Sequence, residues 1–93
     1  MWRIKIHNKT AKALSDLPVP AKLAFDQLAR ELRVGGPRAP GWPNYGKIKG
    51  YHDLHHCHLK RGRPTYVAVW REVKTEERTI EVIYVGTHER APY

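Results

Sequence analysis

Cysteine is almost missing from this chain: Cys57 is the only one, so no internal disulfide can form, and no Cys-x-x-Cys or zinc-knuckle spacing exists. The chain therefore reads as a reduced, cytoplasmic protein. It also has no apolar run approaching the roughly 20 residues that a membrane helix needs. The opening MWRIKIHNKT lacks the apolar stretch of a secretion signal, so neither export nor membrane insertion is expected. Acidic residues are scarce as well. Nine Asp and Glu stand against seventeen Lys and Arg, a net charge of +8, which favours polyanionic partners through phosphate contacts and counterion release. Charge alone does not distinguish RNA from DNA or from an acidic protein. The 93 residues leave room for one domain, spanning 1–93, and not for two.

What is present begins with a period of two. Trp2, Ile4 and Ile6 alternate with Arg3, Lys5 and His7, the pattern of a half-buried strand. Asn8 is a candidate N-cap for a short helix carrying Ala13, Leu14 and Leu17, which the Pro18-Val19-Pro20 segment ends. Pro20 fits the first turn of a second helix, where its missing N–H is harmless. Ala21, Ala24, Phe25, Leu28 and Leu32 then recur on one face, and Gly35-Gly36 supplies the stop. The stretch GGPRAPGWPNYG from Gly35 to Gly46 reads as a loop leading into the basic KIKG at Lys47 to Gly50. In it Trp42 and Tyr45 are expected to anchor the loop to the core.

Three further strands are expected: Leu54 to Arg61, Thr65 to Val73 and Thr79 to Val85, all rich in β-branched and aromatic residues and joined by short polar connections. An antiparallel meander is the economical topology. In its middle strand Val67, Val69 and Val73 share one side and Tyr66, Ala68 and Trp70 the other, with Trp70 free to face either core or ligand. In the last strand Ile80, Val82 and Tyr84 alternate with Glu81, Ile83 and Val85. The expected architecture is α+β: an N-terminal strand and two helices packed on one face of a mainly antiparallel four-stranded sheet, in the order β-α-α-β-β-β. The other face is left open.

The stretch that carries chemistry is Tyr51 to Arg63, YHDLHHCHLKRGR, with four histidines and three basic residues in thirteen positions. In a strand beginning at Leu54, Cys57 and Leu59 turn to the core with His55, while His56, His58 and Lys60 form a row on the open face. Such a row can accept and donate protons beside a phosphate. His52 and His55 read as structural or solvated, and Cys57 as a small core hydrophobe. The competing reading of the row is a set of exposed polar residues filling a strand face. A chemical competitor is a three-imidazole metal site of His56, His58 and His88, but no carboxylate of suitable spacing completes it, so no metal and no cofactor is expected.

Taken together, the strand, the two helices, the loop ending in KIKG, the run HHCHLKRGRPTYVAVW and the closing IEVIYVGTHERAPY resemble the RelE/ParE superfamily of bacterial type II toxins. The likeness is closest to its YafQ-like branch, through Cys57-His58-Leu59-Lys60, Tyr66 to Trp70, Gly86-Thr87-His88 and Tyr93. It extends over essentially the whole chain, although the motifs are short. The chain departs from that branch at Gly62 and Arg63, where an acidic residue and Trp are usual, and at Gly46, where a histidine is usual. Tyr93 also lies one residue further from His88 than the family aromatic does.

The resemblance implies a RelE-like fold and a ribosome-dependent endoribonuclease that cleaves messenger RNA in the A site of the small ribosomal subunit without a metal. The partners it implies are the ribosome, messenger RNA and a cognate antitoxin, expected to be small and acidic, with the toxin alone monomeric. It marks His58 and His88 as the proton-transfer pair, with His56 assisting. Lys60, Arg61 and Arg63 are the phosphate-binding or orienting groups, and Tyr93 is the aromatic that stacks on a displaced base. Lys47, Lys49 and Arg90 are added as further cationic contacts to RNA. Two other functions stay open at this point: a ParE-like poison of DNA gyrase, against which the histidine row argues, and a catalytically inactive relative that still binds RNA or an antitoxin.

Overall fold

Alternation at the N-terminus, a two-helix middle and a β-rich second half become one sheet with two helices packed on it. The computed structural model describes residues 1–38, 42, 45–47 and 54–93. Strand β1 (Arg3–Ile6) leads into helices α1 (Asn8–Ser15) and α2 (Val19–Gly35). Strands β2 (Gly46–Lys47), β3 (Leu54–Lys60), β4 (Tyr66–Glu72) and β5 (Thr79–Thr87) follow, and a 3-10 turn covers His88–Arg90. Helix α1 starts one residue earlier than its expected cap suggested: His7 occupies the N-cap and Asn8 is already helical. In α2, Pro20 sits in the first turn and Gly36 closes the C-terminus at φ 85°, a backbone region open to glycine at little cost.

The strand order is β1-β5-β4-β3-β2, so the sheet has five strands rather than the four expected. The extra one is the two-residue β2, which pairs antiparallel with β3 through Gly46 and His56; proline- and glycine-rich flanks concealed it. Strands β3, β4 and β5 form the expected antiparallel meander, and β1 joins β5 in parallel. That parallel pair has a topological cause. Both helices intervene between β1 and β2 in the chain, and β2 lies at the opposite edge, so the meander returns to β1 only with its last strand.

The helices supply one layer. Ala21, Phe25, Leu28, Ala29 and Leu32 of α2 are buried together with Cys57, Leu59, Ala68, Trp70, Ile80, Val82 and Val85 of the sheet. Helix α2 packs against β3 and β1, and α1 against β5. Trp70 resolves to this side: it is fully buried, and its indole N–H donates to the Pro37 carbonyl at 2.7 Å. His55 stacks on it with ring centroids 6.1 Å apart and meets the Tyr45 hydroxyl at 2.6 Å through Nδ1, while Trp42 and Tyr45 pack against the core. His55 is therefore structural, and His52 lies outside the described residues.

Two irregularities correct the simple alternation. In β5 the register jumps from Val82 opposite Trp70 to Tyr84 opposite Val69, leaving Ile83 as an extra residue. The bulge reverses the phase. Val85, not Tyr84, therefore joins Ile80 and Val82 on the helix side. In β3 the pairing jumps from His58 opposite Val67 to Lys60 opposite Tyr66. Lys60 thus leaves the two-residue period of His56 and His58 and comes opposite a ring that packs on the helix-side core.

Trp70→Ala should cost about 3–5 kcal/mol of unfolding free energy, because it removes a fully buried indole and strands the Pro37 carbonyl. Urea unfolding followed by circular dichroism measures this, and a midpoint equal to that of the parent protein contradicts the packing described.

Candidate active site

On the face away from the helices, the ladder itself assembles the site. His56 lies opposite Val69 and His58 opposite Val67 across the β3–β4 pair. Tyr84 and Gly86 follow opposite the same two valines on β5. Val67 and Val69 are fully buried although they alternate with the core residues Ala68 and Trp70. They form an apolar floor under the imidazoles.

The C-terminal end is brought over this floor by three contacts. The His88 backbone N–H donates to the Thr65 carbonyl at 2.8 Å. The Tyr84 hydroxyl donates to the Thr87 carbonyl at 2.7 Å. Its ring folds back so closely over Gly86 that a Cβ there would lie 2.7 Å from the phenol oxygen. A side chain at position 86 would push Tyr84 away and release the end of β5. Sequence reasoning did not mark Tyr84 or Gly86 for this role, because the bulge at Ile83 decides which way Tyr84 points.

Four rings result. His56 and His58 have centroids 6.2 Å apart, His58 and His88 5.9 Å, His88 and Tyr93 6.0 Å, and Tyr93 and His56 5.1 Å. Each ring touches its two neighbours, so the quartet closes on itself. His56 and His88 occupy opposite corners, as do His58 and Tyr93. The rings of His58 and His88 thus meet on one side of the sheet.

The electrostatics separate the members. The His56 Nδ1 lies 2.8 Å from the Gly46 carbonyl oxygen, which can only accept, so Nδ1 carries the hydrogen. His58 is half-buried, yet its Nδ1 is fully enclosed and has no hydrogen-bond partner among the described residues; the exposure falls on the rest of the ring. Burial first, and then the charges of Arg61, His56 and His88, hold its pKa below the usual histidine value of 6.5. The Tyr93 phenol is held above its ordinary value by burial, so it stays protonated at neutral pH. Burial pushes the Cys57 thiol up to about 12, which makes it an inert filler of the core.

Of the expected cations, Arg61 acts on His58 through its charge, and all the described ones are exposed. Arg61 and Arg63 are exposed in the connection between β3 and β4, which a bond from the Thr65 hydroxyl to the Gly62 carbonyl tightens at 3.1 Å. Arg90 is exposed on the 3-10 turn, Lys60 at the end of β3 and Lys47 on the edge strand β2. Lys49 lies outside the described residues. Among the described residues, no group of three or more His, Cys, Asp or Glu is arranged to hold a metal ion. No helix among them is long and apolar enough to cross a membrane.

No protein-family model and no curated protein matches this sequence significantly. Solved structures do match. The isolated E. coli RelE toxin superposes with a TM-score of 0.73 at 20% identity, covering 99% of this chain and 89% of that one. The chain has the RelE fold. The intact E. coli RelBE toxin–antitoxin complex gives a RelE-type match with a TM-score of 0.71 at 18% identity, covering 97% of this chain and 100% of the other. The archaeal RelE–RelB complex from Pyrococcus horikoshii gives 0.63 at 23%, covering 97% and 98%. On this fold His56 and His58 lie on the face away from the helices, as alternation along β3 led one to expect, whereas Lys60 leaves their row.

Acidification should reveal the enclosed His58. Its folded-state pKa lies below its unfolded one, so as pH falls below about 6.5 the unfolded chain binds the proton first and stability drops, levelling off once the folded ring also protonates. Urea midpoints at pH 7.5 and pH 5.5 should therefore differ more for the parent protein than for His58→Asn. An equal acid loss in both would show that His58 is not disfavoured in its charged form.

Proposed function

We propose that this protein is the toxin of a type II toxin–antitoxin system, a ribosome-dependent endoribonuclease that cuts messenger RNA in the A site and so arrests translation. The observation that carries this reading is the pair of imidazoles His58 and His88, borne on different parts of the chain and 5.9 Å apart, within a closed aromatic quartet on a RelE fold. The Cys57-His58-Leu59-Lys60 and Gly86-Thr87-His88 segments support assignment to the YafQ-like branch.

The chemistry requires no cofactor. One imidazole accepts the proton of a ribose 2′-OH as that oxygen attacks the adjacent phosphorus. The bond from phosphorus to the 5′-oxygen breaks, and the second imidazole gives its proton to the leaving oxygen. The products are a 2′,3′-cyclic phosphate and a free 5′-hydroxyl. Histidine suits both tasks because its ordinary pKa lies near cellular pH. The negative charge gathering on the phosphoryl oxygens is met by Arg61 and Arg63, with Lys60, Lys47, Lys49 and Arg90 drawing the RNA backbone to the site. Tyr93, exposed at one corner with a protonated phenol, offers a ring face on which a displaced base stacks.

The net charge of +8 fits both an RNA substrate and a small acidic antitoxin that neutralises the basic face. Structural neighbours that are toxin–antitoxin complexes support the second partner. The toxin alone is taken as monomeric and cytoplasmic.

Toe-printing on a defined message with purified ribosomes is the decisive assay. Cuts should appear only when ribosomes are present, and His58→Ala and His88→Ala should each lower cleavage by about 10²–10⁴-fold. Cleavage that survives both substitutions removes the assigned pair. Intact transcripts together with a DNA-damage response in expressing cells would instead favour a gyrase poison.

A further inference from the structure

The contact between Gly46 and His56 has a chemical consequence for the histidine's other nitrogen. A carbonyl oxygen has no hydrogen to give, so the 2.8 Å contact holds the proton of neutral His56 on Nδ1 and leaves Nε2 as a bare lone pair. Among the described residues Nε2 has no hydrogen-bond partner, and the half-exposed ring stands between His58 and Tyr93 in the quartet. The ring's placement also depends on what position 46 lacks. A Cβ on Gly46 would lie 2.8 Å from His56 Cε1 and 3.5 Å from Nδ1, closer than a real Cβ tolerates at the first atom. The obstacle would be the near part of a rigid ring tied to that same residue, so the imidazole would have to swing away. The two positions are direct cross-strand partners at the sheet edge.

We infer that His56 is the hydroxyl-accepting subsite of the RNA site, its bare Nε2 receiving a hydrogen bond from a ribose 2′-OH, and that Gly46 is the positioning residue that sets its tautomer and orientation. This rests on the proposed RNA substrate but not on cleavage. An acceptor-only nitrogen distinguishes a hydroxyl, which donates, from an ether, which cannot. It therefore discriminates a ribonucleotide from its 2′-O-methyl and 2′-deoxy counterparts. The ribose so held is a neighbour of the one whose 2′-OH attacks, because that hydroxyl gives its proton to one of the pair His58 and His88.

Two measurements test the inference. Long-range ¹H–¹⁵N correlation spectra of the full chain near pH 8 should show His56 protonated on Nδ1 and bare on Nε2, and Gly46→Ala should abolish that preference; a bare Nδ1 in the parent overturns the proposal. The second measurement is binding of short single-stranded oligonucleotides of one sequence, ribo, 2′-O-methyl and 2′-deoxy, to a His58→Ala/His88→Ala protein that cannot cut. Adding His56→Asn keeps an amide N–H in the place of Nδ1 and removes Nε2, and should shrink the preference for ribo over 2′-O-methyl by about five- to tenfold, the worth of one hydrogen bond. Gly46→Ala should do the same with the imidazole intact, which covers the case in which the Asn variant fails to fold. An unchanged preference in both overturns the subsite. Absence of cleavage by the parent would defeat the nuclease reading while leaving this preference measurable.

Discussion

The register of β3 against β4 and β5 is the constraint on which the rest depends. Backbone hydrogen bonds set His56 against Val69 and Tyr84, and His58 against Val67 and Gly86. A slip of one residue would turn both imidazoles into the helix layer and bring Cys57 and Leu59 out to water. The cost of that slip is the whole apolar set of one strand, so the position of the histidines is secured by packing on the other side of the sheet. The site is precise because the core beneath it is.

The two bulges then adjust what a regular ladder could not. The extra residue in β5 turns Tyr84 onto the open face, where its hydroxyl holds the Thr87 carbonyl and its ring demands glycine at position 86. The strand end so held delivers His88 to His58. The irregularity in β3 does the opposite for Lys60, moving it out of the histidine row at the start of the arginine-bearing turn. The rings sit over a buried valine floor, while Arg61, Arg63 and Arg90 are exposed to water. Burial that suits a neutral imidazole would have been costly for a lysine.

Glycine plays two different parts at the rim. Gly86 lets a tyrosine ring close over the backbone, and Gly46 lets a histidine ring do so from the neighbouring strand. In each case the missing side chain is the space that a functional or supporting ring fills. Viewed only against the family pattern, Gly46 is a lost histidine. In the folded chain it is the neighbour whose carbonyl decides which nitrogen of His56 is free.

The two helices and the four longer strands were legible in local sequence, as was the inward side of β3, because periods of 2 and 3.6 are local properties of the backbone. The sequence marked Cys57 and Leu59 as inward, His56 and His58 as outward, and the stripe of α2 as core. Composition carried the expectation of polyanionic partners in the same direct way. The parallel pairing of β1 with β5, the short strand β2, the side taken by Trp70, Tyr84 and Lys60, and the closing of four rings from three chain segments emerged with the folded chain. Those depend on contacts between residues far apart in the chain and on bulges, where one inserted residue reverses the phase of all that follow, and no local periodicity records either.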